Sequence, residues 1–84
     1  MATINYIAGY IQTDEDQSAA SPQYFGYLQG NGTWYIMQMS TNGNVIQYRY
    51  FAGSGLTGTT GYQTNWGNRA SLTYDYYSNI FLNT

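Results

Sequence analysis

The order of apolar and polar positions divides the chain into segments of different character. Residues 1–12, MATINYIAGYIQ, are apolar and rich in β-formers, whereas residues 13–23, TDEDQSAASPQ, are polar and hold three adjacent carboxylates and the only proline, Pro22. This reads as an N-terminal strand or arm followed by a solvated connection. Beyond it come three β-branched and aromatic runs, near 24–29, 33–40 and 45–52, separated by Gly30-Asn31-Gly32 and Thr41-Asn42-Gly43-Asn44. Asn-Gly between such runs signals a hairpin, because both residues tolerate the positive φ of a type I′ turn. Two hairpins in succession make a three-stranded antiparallel meander with turns at Asn31-Gly32 and Asn42-Gly43.

Alternation assigns the faces. In the second of these strands Trp34 and Ile36 oppose Tyr35, Met37 and Met39, and in the third Ile46, Tyr48 and Tyr50 oppose Gln47 and Arg49. The first two strands carry large apolar groups on both sides. A sheet buried on one side has no need of that, so a second cover is expected, from the N-terminal arm, the C-terminal tail or another subunit.

Residues 53–68, GSGLTGTTGYQTNWGN, hold five of the ten glycines and read as a long loop. For 69–82, RASLTYDYYSNIFL, Tyr, Thr, Ile and Phe favour a closing strand with Leu72, Tyr74 and Tyr76 on one face, a short helix being the alternative. The expected fold is all-β: a small antiparallel meander, sandwich-like or barrel-like, with an extended N-terminal arm. Residues 1–23 supply the arm and its polar connection, and residues 24–84 a single β domain.

Composition changes the picture from fold to use. Eighty-four residues bury only roughly 60% of their unfolded surface, and the chain has neither Cys nor His with which to add a disulfide or a metal centre. Association is the remaining route to stability. Charged residues are 7% of the chain, with no Lys, and aromatics are 19%, including eleven Tyr. Tyr, Trp, Met and Arg enriched while Lys, Glu and Asp are depleted is the composition of an interface centre. The expected partner is therefore protein, with Ile4, Tyr6, Ile7, Tyr10, Trp34, Tyr35, Met37, Met39, Arg49, Trp66, Arg69, Tyr76 and Tyr77 as contact residues. Arg69 stacks on Trp66 or a nearby Tyr, or pairs with Asp75, holding the long loop to the sheet or meeting a partner.

Net charge is −2, and two scattered arginines cannot supply the cationic footprint that nucleic acid requires. No apolar run approaches membrane-span length, and Met1 to Tyr10 lacks the basic start and apolar stretch of a signal peptide. A chain made and used in the cytosol, or released by lysis, is expected.

Four apparent motifs dissolve on inspection. Gly53-Ser54-Gly55-Leu56-Thr57-Gly58 spells the dinucleotide fingerprint, with Asp75 seventeen residues on, but Thr59-Thr60-Gly61 cannot continue the helix that must receive the pyrophosphate. Asp14-Glu15-Asp16 starts like a calcium loop, yet Ala19 replaces its turn glycine and Phe25 its bidentate Glu. Asn31-Gly32-Thr33 is a glycosylation sequon only in a secreted chain. Without His, Cys or Lys, catalysis would fall to Asp75 and a carboxylate of 13–16, which lack a cleft. No enzyme, cofactor or metal is expected. Two other functions stay open: a glycan-binding module with exposed Tyr and Trp as stacking platforms, and a fibre subunit pairing through uncharged strand edges.

The residues Tyr24-Phe25-Gly26-Tyr27-Leu28, Gly30-Asn31-Gly32-Thr33-Trp34-Tyr35-Ile36-Met37, Tyr48-Arg49-Tyr50 and Asn65-Trp66-Gly67-Asn68-Arg69-Ala70-Ser71-Leu72-Thr73-Tyr74-Asp75-Tyr76-Tyr77 resemble small accessory virion proteins of tailed bacteriophages. The resemblance covers residues 24–81 and rests on aromatic strands and a W-x-x-R-A-x-L-x-Y element. It implies a β-rich capsid decoration or tail adaptor protein, assembled in the host cytoplasm and resident in the virion. The implied partners are copies of itself, or major capsid or tail proteins.

Overall fold

The computed structural model describes residues 9–82. Four strands, β1 (Tyr10–Asp16), β2 (Gln23–Gln29), β3 (Thr33–Asn42) and β4 (Val45–Ser54), form one antiparallel sheet in sequence order. The expected meander is its last three strands. Of the arm, residues 1–8 lie outside the described residues, so Ile4, Tyr6 and Ile7 are not placed. Tyr10 opens β1, and residues 13–16, read as a solvated connection, continue it along the edge of the sheet. Three consecutive acids are poor β-formers, and the pairing of β1 with β2 overrides that preference.

Both turns use glycine at positive φ, neither in the expected type I′ form. Between β2 and β3, Gly32 N–H donates to Gln29 O at 2.9 Å and Gly32 takes φ 92°, a three-residue loop ending in a left-handed residue. Between β3 and β4, Asn42 pairs with Val45, so the turn residues are Gly43 (φ 64°) and Asn44, one position later than expected. Asn31 and Asn42 both keep negative φ. Asn31 instead uses its side chain, whose Oδ1 accepts from the Thr33 N–H at 3.0 Å.

The alternation read from the sequence holds through the register. Phe25, Tyr27, Tyr35, Met37 and Tyr50 form one buried cluster and Tyr24, Trp34, Ile36 and Tyr62 another, on opposite faces of the sheet. The second cover comes from this chain's own C-terminal third. Residues 53–68 are not wholly loop: Tyr62–Gly67 form a helix, α1, that lays Tyr62 and Trp66 over the Trp34 face. Nor are residues 69–82 a closing strand. A short 3-10 turn, Arg69–Ser71, is followed by one isolated antiparallel bridge, Asp75 to Tyr50, and then a π-helical turn, Ser78–Leu82.

That path carries the chain from one face to the other. Leu72 and Tyr74 pack with α1, Asp75 hydrogen-bonds the outer edge of β4 at Tyr50, and Ile80 and Phe81 pack on the Tyr35 face. The segment alternates apolar and polar residues but serves two faces in turn, so it cannot lie flat as a strand.

Candidate functional site

The Trp34 face is held by a network that begins with an irregularity in β1. Gln12 pairs with Tyr27 and Asp14 with Gly26, which leaves Thr13 as an extra residue. Such a bulge shifts the side-chain alternation by one. Ile11, Asp14 and Asp16 therefore share the Trp34 face, while Tyr10, Gln12 and Glu15 take the other. Without Thr13 as the extra residue, both aspartates would point away from α1.

Each aspartate holds one part of the cover. The Tyr62 hydroxyl donates to Asp14 Oδ2 at 2.8 Å, and its ring lies over Gly26, where a Cβ would overlap the hydroxyl. Arg69 Nε donates to Asp16 Oδ2 at 2.9 Å, its NH1 donates to Trp66 O at 2.8 Å, and its guanidinium lies 4.6 Å from the centre of the Trp66 ring. Tyr74, whose ring meets Tyr24 and Phe51, donates its hydroxyl to Arg69 O at 2.8 Å. Arg69 thus stacks on Trp66, one of the contacts expected of it, but its carboxylate is Asp16 across the fold and not Asp75.

The electrostatics follow from these contacts. Hydrogen bonds from the Ser18 hydroxyl and backbone N–H, then from Arg69, hold the Asp16 carboxyl down at about 2. Burial pushes the Tyr62 hydroxyl well above its ordinary range, and the bond to Asp14 adds to the shift. Burial also raises Tyr27, Tyr50 and Tyr74. These hydroxyls stay protonated under ordinary conditions, and those of Tyr62 and Tyr74 act as donors and not as bases.

The residues singled out as contacts separate into three groups. Trp34, Tyr35 and Met37 are at most 1% exposed and belong to the chain's own core, which corrects their assignment as contact residues. Composition counts aromatics without saying which are buried. Tyr10, Met39, Arg49, Trp66 and Arg69 are half-buried and internally engaged: Tyr10 edges onto Tyr35, Met39 packs against that core cluster, and Arg49 covers the Tyr76 ring at 4.1 Å. Trp66 is stacked by Tyr62 and Arg69. Tyr76 and Tyr77 remain exposed.

Further open apolar surface lies elsewhere. Ile11 is 70% exposed, Val45 56% and Ile46 52%, and Leu56 and Leu82 are also open. Val45 and Ile46 sit at the tip of the β3–β4 hairpin. β2 begins at Gln23 opposite Met39, so the hairpin runs past it and its last residues have no neighbouring strand on that side. The register fixes how far the β3–β4 pairing runs past β2. An apolar-lined pocket of about 140 Å³ opens beside β4, bounded by Trp34, Phe51, Ala52, Gly53, Thr59, Thr60 and Asn65.

Among the described residues no three His, Cys, Asp or Glu side chains group as metal ligands do, and no helix is long and apolar enough to cross a membrane. The Gly53–Gly58 motif overlaps the end of the antiparallel strand β4 and lies ahead of a six-residue helix that opens only at Tyr62. Comparison with known proteins finds no matching family, no matching curated protein and no matching solved structure.

Proposed function

We propose that this protein is a non-enzymatic structural component of a larger protein assembly, of the kind formed by the small accessory proteins of tailed-phage virions. The observation that carries the reading is the projecting β3–β4 hairpin. Val45 and Ile46 lie at its tip, more than half exposed and on opposite faces. Fully burying an aliphatic side chain of this size gains roughly 1.5–3 kcal/mol, and a partner that clasps the hairpin from both sides collects both contributions. Two features of the described residues support it. Both arginines and all four carboxylates make internal contacts, so little charge remains to direct a partner. Exposed apolar groups are also spread over several parts of the surface.

Sedimentation of a lysate that makes the chain tests the reading. The parent protein should travel with a large particle at fixed stoichiometry, and Val45→Asp with Ile46→Asp should return it to its own size without changing its unfolding midpoint. A parent protein found only at its own size would remove the reading.

A further inference from the structure

The outer edge of β4 is only partly used. Tyr50 donates its N–H to Asp75 O at 2.7 Å and accepts from Asp75 N–H at 3.0 Å, so the backbone of Tyr50 faces away from β3. Hydrogen-bonding direction alternates along a strand, so Ala52, two residues on, also directs its N–H and C=O outward. No described residue bonds them.

The pocket beside β4 adjoins this open stretch. Gly53 lines it and lets the Trp34 ring lie against β4: a Cβ there would stand 2.5 Å from Trp34 Cζ2. The donors in the wall are already used, Trp34 Nε1 on Thr60 O at 3.2 Å and Asn65 Nδ2 on Thr59 O and Gly61 O. The pocket therefore offers an occupant mainly apolar contact, in a volume close to that of the ~150 Å³ cavities that take a benzene-sized group. No charged residue lines it. A free strand edge beside a side-chain pocket is the arrangement by which extended peptides add to sheets.

Residues 3–8, TINYIA, have the matching chemistry, being uncharged and β-prone with an apolar residue on either alternation. They precede Gly9, which lies beside Gln29 at the end of the sheet where Thr33 pairs with Ser54. Eight residues extend at most about 26–29 Å. Crossing from β1 to β4 spans three strand spacings, about 14 Å, which would use half the segment before it could run along β4. A second copy brings the whole segment.

We infer that residues 3–8 of a second copy add as a strand to the β4 edge at Ala52, with one apolar side chain entering the pocket over Trp34. This deepens the assembly reading by naming a contact between copies.

The test uses full-length chains in sedimentation equilibrium. Ala52→Pro removes only an outward N–H, which an edge strand tolerates, and should weaken self-association about tenfold or more. Ile4→Asp with Ile7→Asp should do the same from the other side. Mixed together, the two variants regain one intact segment and one intact edge, so a 1:1 heterodimer should form at concentrations where each variant alone is largely monomeric. That outcome also shows both to be folded. Ala52→Pro associating like the parent would overturn the inference, as would a mixture that stays monomeric while both variants keep native amide spectra. A parent chain that is monomeric yet travels with a particle would overturn it too, leaving the assembly reading in place.

Discussion

At the scale of single residues, the fold depends on where polar atoms sit among aromatic rings. Tyr24, Tyr27, Tyr35, Tyr50 and Tyr62 are all buried. Tyr62 uses its hydroxyl on Asp14, and half-buried Tyr74 uses its own on Arg69 O. Tyr27 has no such outlet: its ring stacks on Tyr35 at 4.5 Å and its hydroxyl is buried without a hydrogen-bond partner. A buried hydroxyl that lost water and gained nothing costs about 1–3 kcal/mol, whereas the ring itself is favourable. Tyr27→Phe should therefore be at least as stable as the parent in urea, with a gain of up to about 1 kcal/mol. A loss of stability would mean that the hydroxyl has a partner in solution.

At the scale of elements, the helix α1 shows how little a short segment does alone. Six residues fall well below the roughly 12–15 that an isolated helix requires, so Tyr62–Gly67 is helical because its rings dock on the sheet. Asp16 and Arg69 tie the turn after this helix to β1. The Asp16 carboxyl is held at about 2 against an ordinary 3.8, a depressed value, so its contribution to stability is complete above about 4 and is lost as pH falls toward 2. Acid unfolding should show a limb in that window that Asp16→Asn removes. An identical acid profile in Asp16→Asn would show that the carboxylate held by Ser18 and Arg69 contributes nothing. Raised salt should weaken only the Arg69 share of the limb, because that pair is partly open to solvent.

At the scale of the whole molecule, one four-stranded sheet carries two apolar faces, and a single C-terminal segment reaches both by passing around the edge of β4 at Asp75. Both faces contain tyrosines whose hydroxyls are pushed above the ordinary 10: Tyr27 and Tyr50 on one, Tyr62 and Tyr74 on the other. A raised folded value keeps their contribution intact below pH 10 and removes it as pH rises further, since the unfolded chain ionises first. Stability should decline steadily above pH 10, and the tyrosinate absorbance of Tyr27, Tyr50, Tyr62 and Tyr74 should appear in a late stage that accompanies loss of structure. Absorbance complete before any loss of structure would contradict the packing on both faces.

The meander, its approximate strands and the side on which each β3 and β4 residue falls were legible in the sequence. Alternation and turn glycines act over two to four residues, and in the two meander turns Gly32 and Gly43 take positive φ. The pattern also showed that both faces needed covering. Only the tertiary structure decided what covers them, because Tyr62 over Gly26, Arg69 on Asp16 and Phe81 on Tyr35 join positions 36 to 53 residues apart that no local pattern links. The bulge at Thr13 belongs to the same class, since only the pairing of β1 with β2 turns both aspartates toward α1. Composition indicated an abundance of aromatic surface, and packing took Trp34, Tyr35 and Met37 into the interior. Among the open apolar positions, Ile11, Val45 and Ile46 are exposed by strand order and hairpin length, which are properties of the assembled sheet.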